Sequence, residues 1–267
     1  ESAEEAVVTL GQPAADWWEA HGAAVTRGGT LVVANSRDRA ELRRFARRTS
    51  GFVEMDGDGV AALEPDLDGR FGLALHFPDE AHLAPRQALS ALLARLEAKG
   101  VEVRFGVDGA EVDAKAKIVD CRGLAAGLPE LRGVKGEMVI VRTPDVALGR
   151  PVRLLHPRHP LYIVPRGDGV FMLGATMIES DDRSRITARS LLELLGAAYA
   201  LHPAFAEAEV LEIGVDARPA FPDNLPRAYE KDGRIYVNGL YRHGFLLSPA
   251  MAAEAAGLVA AALERAQ

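Results

Sequence analysis

Apolar positions recur along this chain with two periods, and the periods take turns. Leu89, Leu92, Leu93 and Leu96 stand at helical spacing, which predicts a helix over residues 85–99 that stops at Gly100. A second predicted helix runs from a Thr187 cap to Leu201, and Ser36 caps a charged helix over 37–48. Residues 2–21 read as one helix, with Trp17 and Trp18 near its end and Gly22 as its stop. Residues 60–63 read as a helical turn closed by Pro65.

Short apolar or alternating runs predict strands at 30–34, 52–55, 73–77, 101–105, 117–121, 136–142 and 210–218. Residues 162–165 and 170–175 flank Gly167-Asp168-Gly169, which predicts a hairpin. The alternation of helix and strand implies part of a parallel sheet. With no internal repeat, low-complexity tract or linker, the expected organisation is two domains made of interwoven segments.

One stretch near the C-terminus changes period within a few residues. Ile235, Tyr236 and Val237 follow an Asp232-Gly233 turn and read as a strand. Ser248 reads as an N-cap and Pro249 as the first position of a helix rich in Ala and Leu. Between them, Gly239 and Gly244 bracket Arg242 and His243. A strand–glycine–helix junction brings backbone N–H groups and a helix N-terminus close to a ligand carrying negative charge.

At 267 residues the chain is long enough for a large core, in one domain or two. Its net charge of −7 argues against a general nucleic-acid binder, and the basic run Arg43-Arg44…Arg47-Arg48 reads as a solvated helix face. A single cysteine, Cys121, excludes an internal disulfide, fits a reducing cytoplasm and reads as a small buried residue rather than a nucleophile. No apolar run is read as approaching the ~20 residues of a membrane span, so no membrane partner is expected.

Several motifs fail on context. Gly57-Asp58-Gly59-Val60-Ala61-Ala62 has the letters of a dinucleotide fingerprint, but Pro65 stops the helix that the motif requires. His156-Pro157-Arg158-His159 has a crude metal-ligand spacing without a carboxylate partner, so no metal is expected. Neither G-x-S-x-G nor H-E-x-x-H occurs. Two arginines remain. Arg218, at the end of an apolar strand and before a proline-rich loop, can grip a carboxylate through two parallel hydrogen bonds, or pair with Asp216 or Asp223. Arg242 lies among glycines and is the better ligand candidate of the two. Tyr162 can hydrogen-bond a small substrate or serve as a core tyrosine.

Together the segments resemble the glycine oxidase (thiamine-pathway) branch of the FAD-dependent D-amino-acid oxidase family. The matching blocks are Val134-Lys135-Gly136-Glu137, Tyr162-Ile163-Val164-Pro165-Arg166, Leu173-Gly174-Ala175-Thr176-Met177, Arg218-Pro219 with Asp223 and Pro226, and the run from Gly239 to Pro249. Their order and spacing follow the family over residues 1–265. The resemblance implies an α/β (α+β) fold: an incomplete FAD-binding Rossmann-like domain (1–22, 85–133 and 227–267) interwoven with an antiparallel or mixed-sheet substrate domain (23–84 and 134–226). It also implies that Arg218 clamps the substrate carboxylate and that Arg242 is a second arginine at the substrate and flavin edge. Tyr162 and Met177 would line the amino-acid pocket. Leu240, Tyr241, Arg242, His243, Gly244, Phe245 and Leu246 would lie along the isoalloxazine, with Val107 near the adenine.

The implied activity is oxidative deamination of glycine or a small amino acid by non-covalent FAD, with molecular oxygen giving hydrogen peroxide, in thiamine thiazole synthesis. Alternatives are a sarcosine or other secondary-amine oxidase or dehydrogenase, and a non-catalytic remnant acting as a binding module. A homo-oligomer is implied as well. Family members begin with a strand, a Gly-rich loop and a helix, and these 267 residues hold no such unit. Roughly 40–60 residues of a normal member are absent, judged from the length of a βαβ unit and its following loop. The chain by itself is therefore expected to bind FAD weakly or not at all, as a fragment or a remnant.

Overall fold

The computed structural model describes residues 5–108, 116–157 and 160–265. It divides into two units made of interleaved segments. Unit one holds residues 26–82 and 135–216, and unit two holds 2–25, 83–134 and 217–267.

Unit one is built on a mixed sheet. Its strands are β2 (Thr30–Ala34), β3 (Val53–Asp56), β4 (Leu73–Phe77), β7 (Arg132–Arg142), β8 (Val152–Leu155), β9 (Leu161–Pro165), β10 (Val170–Gly174), β11 (Ile178–Glu179) and β12 (Glu209–Ala220). Among the described residues their order is β11-β7-β10-β9-β8-β2-β4-β3, with β12 also beside β7. The β9–β10 hairpin has the expected register, with Gly174 opposite Tyr162. Its turn takes positive φ at Gly167, Asp168 and Gly169, as a tight connection between twisted strands requires.

Both faces of this sheet are covered. On one, Leu31, Val139, Ile163 and Leu173 pack with Leu194 and Ala198 of α6 (Ala188–Leu201) and Val60 of α4 (Gly57–Leu63). On the other, Val32, Leu75 and Phe77 pack with Leu42 of α3 (Arg39–Ala46). α6 begins as expected, with the Thr187 side chain accepting from Ser190 N. α3 starts later than expected: Ser36–Asp38 forms a 3-10 turn, and no side-chain hydrogen bond caps it. The letters that suggest a dinucleotide loop form α4, capped by Asp56 accepting from Gly59 N.

Unit two has the helices α1 (Glu5–Gly11), α2 (Ala14–Ala20), α5 (Pro85–Ala98) and α7 (Gly244–Glu264). Its sheet has the order β13-β14-β6, from β13 (Arg227–Lys231), β14 (Arg234–Asn238) and β6 (Val119–Asp120). β6 is parallel to β14, as the helix–strand alternation implied. A two-residue pair, β1 (Val25–Thr26) with β5 (His82–Leu83), lies where the chain passes between the units.

Four expectations fail here for physical reasons. The single N-terminal helix is two, because Pro13 has no N–H to give and its ring crowds the preceding turn. Residues 101–105 form no strand: their alternation supplies propensity, but a strand needs a backbone partner, and Phe105 is 78% exposed. Ser248 is no cap, since α7 starts at Gly244 and Pro249 lies inside it. Pro249 leaves the carbonyl of Phe245 without its helical donor; the indole Nε1 of Trp18 donates to that oxygen instead, at 2.7 Å. α7 is also long and apolar enough, by length and composition, to cross a membrane, and 28% of that stretch is buried. The sequence reading missed that length. Leu247, Met251 and Ala255 bury its inner side, and it packs on α1, α2, β13 and β14.

Candidate functional site

Unit two holds both candidate arginines. Arg218 is half-buried near the end of β12. The loop after β14 comes back to this strand end, where Tyr241 N donates to Pro219 O at 3.0 Å. Gly239 makes that approach feasible. Its φ is +77°, and a Cβ there would stand 2.2 Å from the ring of Phe221, which is fully buried. The segments carrying Arg218 and Arg242 are thus tied together within one unit. Asp216 and Asp223, the local alternatives for Arg218, are engaged by Arg183 (2.7 Å) and Arg227 (2.8 Å).

Arg242 is exposed, and Leu240, Tyr241 and His243 are half-buried around it. His243 is the N-cap residue of α7. Burial, and then the charge of Arg242, push its pKa down. Gly244 and Phe245 form the first turn, with Phe245 against Trp18 at 5.2 Å between ring centroids. Leu246 is partly exposed beside Gly11, where an added Cβ would meet it at 2.7 Å. The first N–H groups of a helix have no intrahelical acceptor and carry partial positive charge. Over a 21-residue helix such as α7 they form a donor set suited to the carbonyl oxygens of a flavin. The residues present therefore fit that part of the cofactor. Val107 lies in irregular chain and is partly exposed; the stretch 109–115 after it lies outside the described residues.

In unit one, Tyr162 packs on Gly174, where a Cβ would lie 2.8 Å from the phenol oxygen. Met177, three residues further on, lines a cavity of about 290 Å³ with Leu161, Thr176, Ile178, Arg189 and Glu193. Tyr162 is not among the residues lining that cavity.

Two groups of side chains escaped the sequence reading. Arg132 donates to Asn224 Oδ1 at 2.6 Å, and its guanidinium stands 5.9 Å from the Tyr241 ring centroid. Lys135 and Glu137 are buried and tied to Thr176 and Asp182. Arg132 adjoins the Val134–Glu137 block, and Lys135 and Glu137 belong to it, which was the available signal. Cys121 is exposed, which corrects the expectation of a buried residue. Desolvation and the Asp120 carboxylate push its thiol up, away from nucleophilic behaviour. Of the His156–His159 run, Arg158 and His159 lie outside the described residues; elsewhere among the described residues no cluster of metal-ligating side chains occurs.

The model of the family described as DAO, FAD dependent oxidoreductase, matches residues 1–258. A Rhizobium etli protein named as a candidate thiamine biosynthesis oxidoreductase, ThiO, is 61% identical over 262 residues, covering 96% of this chain and 79% of that protein. The Geobacillus kaustophilus glycine oxidase structure superimposes with a TM-score of 0.78 at 21% identity, over 99% of this chain and 81% of that one. The Bacillus cereus glycine oxidase structure gives 0.77, also at 21% identity, over 98% and 84%. At such identities the structural matches speak for the fold.

Proposed function

Because the chain belongs to the FAD-dependent oxidoreductase family of D-amino-acid oxidase, and to its ThiO and glycine oxidase type, we propose that it serves the oxidation of glycine or a similarly small amino acid to the imine, with oxygen taken to hydrogen peroxide, for thiamine thiazole synthesis in the cytoplasm. The observation that carries this reading is the tie between the two arginine-bearing segments, through Tyr241 N and Pro219 O at 3.0 Å.

Arg218 holds the substrate carboxylate, because a planar guanidinium matches a carboxylate with two parallel hydrogen bonds. Arg242 adds a second positive charge at the same edge. Met177 lines the amino-acid pocket, Tyr162 belongs to the same substrate-binding set from outside the cavity that Met177 lines, and the segment from Leu240 to Leu246 takes the pyrimidine end of the isoalloxazine. Bound FAD supplies the two-electron acceptor. The chain's own contribution is to hold the amine-bearing carbon in one orientation, and no protein base is needed if the amine arrives neutral. Residues 1–22, 85–133 and 227–267 carry the cofactor-binding role, residues 23–84 and 134–226 the substrate role, and the assembly is a homo-oligomer. FAD binds to this chain non-covalently and weakly.

The experiment is flavin reduction by glycine, followed by stopped flow at saturating FAD, in wild type and Arg218→Ala. Loss of a bidentate charged pair weakens apparent glycine affinity by about 2–4 kcal/mol. An unchanged affinity removes Arg218 from this role. Flavin absorbance retained by the purified wild-type chain without added FAD would overturn the weak-binding claim.

A further inference from the structure

Glu137 is a carboxylate in the wrong place for stability alone. It is fully buried on β7, and its Oε1 makes no hydrogen bond. Lys135 Nζ stands 3.8 Å from it and is itself almost wholly buried. Buried ion pairs seldom repay their desolvation unless every lone pair is satisfied, so an apolar pair of similar volume would serve the core at least as well. The position of the pair gives it another purpose.

Glu137 and Thr176 are joined by three hydrogen bonds. Thr176 Oγ1 donates to Glu137 Oε2 at 2.9 Å, Glu137 N donates to Thr176 Oγ1 at 2.9 Å, and Thr176 N donates to Glu137 O at 3.2 Å. Lys135 Nζ reaches the other end of the same loop, donating to Asp182 Oδ2 at 2.7 Å and to Arg185 O at 3.4 Å. Asp182 in turn accepts from Ser184 N and Ser184 Oγ, at 2.8 and 2.7 Å. The segment from Thr176 to Arg185 is therefore clamped onto β7 at both ends, and Met177 is the next residue after the first clamp.

We propose that Lys135, Glu137 and Thr176 are positioning residues that fix Met177 in the wall of the amino-acid pocket and so set how bulky an amine the pocket admits. This rests on the reading of Met177 as a pocket residue. Met is the most adaptable of the large apolar side chains, so a Met wall discriminates by size only when its backbone is held. The clamp supplies that restraint through Lys135 and Glu137, which are buried and do not line the cavity, and through Thr176, which does.

Two measurements on the full chain test it, using T176V, T176S and E137Q. The first is hydrogen exchange across residues 174–186 without added cofactor. T176V, which deletes the hydroxyl at nearly constant volume and with it both hydrogen bonds of Oγ1, speeds local exchange by about tenfold or more. T176S restores the wild-type rate, and E137Q, which keeps an acceptor but drops the charge, falls between. Exchange unchanged in both T176V and E137Q overturns the proposal. The second is the ratio of apparent KM for N-methylglycine to that for glycine at saturating FAD. The ratio falls severalfold in T176V and recovers in T176S, and it falls in E137Q as well, at a carboxylate that does not line the cavity. A uniform loss of active enzyme at constant ratio makes the clamp merely structural and also overturns the proposal. If the wild type oxidises neither amine while exchange still responds, the functional reading has failed, and the clamp stands as what holds the cavity wall.

Discussion

The two units solve the same problem, burying apolar surface around a sheet, with different success. In unit one the sheet is sandwiched, and Leu31, Val33, Leu154, Ile163 and Leu173 are essentially inaccessible to water. In unit two, among the described residues, the sheet has three strands, one of them two residues long, beside a small core cluster of Ala14, Trp18, Ala23 and Ala88. Its helices turn Val8, Leu89, Leu96, Leu246 and Leu263 outward. A sheet with a parallel edge is normally covered on both faces. The contrast teaches that a chain can be uniformly apolar by composition and still distribute its stabilising burial very unevenly.

The comparison breaks most sharply in the cores. Leu173→Ala in unit one removes a fully buried side chain and costs about 2–5 kcal/mol. Leu89→Ala in unit two removes a half-exposed one and stays within about 0.5 kcal/mol. Chemical denaturation measures both; equal losses would erase the distinction. An intermediate effect comes from Trp18→Phe. It leaves the Phe245 carbonyl without its donor and costs about 1–2 kcal/mol, read as a fall in the unit-two melting transition by calorimetry. A loss confined to the transition that Leu173→Ala shifts would count against it.

The smallest effect is on pH dependence. Burial pushes the pKa of His76, His82 and His202 down in unit one, and of His243 in unit two. A lowered folded pKa means that the unfolded chain binds the proton first. The stability tied to these neutral imidazoles is therefore full above the unfolded value near pH 6.5 and is lost progressively as pH falls below it. Acidification from about pH 7.5 to about pH 5.5 should lower the unit-one transition more than the unit-two transition. Equal shifts would mean that the histidines do not govern the difference.

Legibility followed the same divide. The unit-one elements could be read because their signals are local: the Gly167-Asp168-Gly169 turn, the Thr187 cap, the apolar runs of β2 and β4. The mixed α/β class and the family came from blocks in register, and the family match runs over residues 1–258. In unit two, the alternation at 101–105 misled because pairing is non-local, and Pro249 misled because its missing donor is replaced by Trp18, 231 residues earlier. The Lys135–Glu137–Thr176 clamp was illegible for the same reason. Nothing in a lysine and a glutamate two apart on a strand says that both are buried, until the partner loop is in place.

Gly239 has one further consequence. The spacing between the two arginine-bearing segments is governed by a hydrogen atom facing Phe221, with neither guanidinium involved. A single methyl group at 239 would act as a wedge, prising the loop from the strand while every charge stayed on the molecule. The carboxylate proposed for those arginines would then feel the change in distance alone.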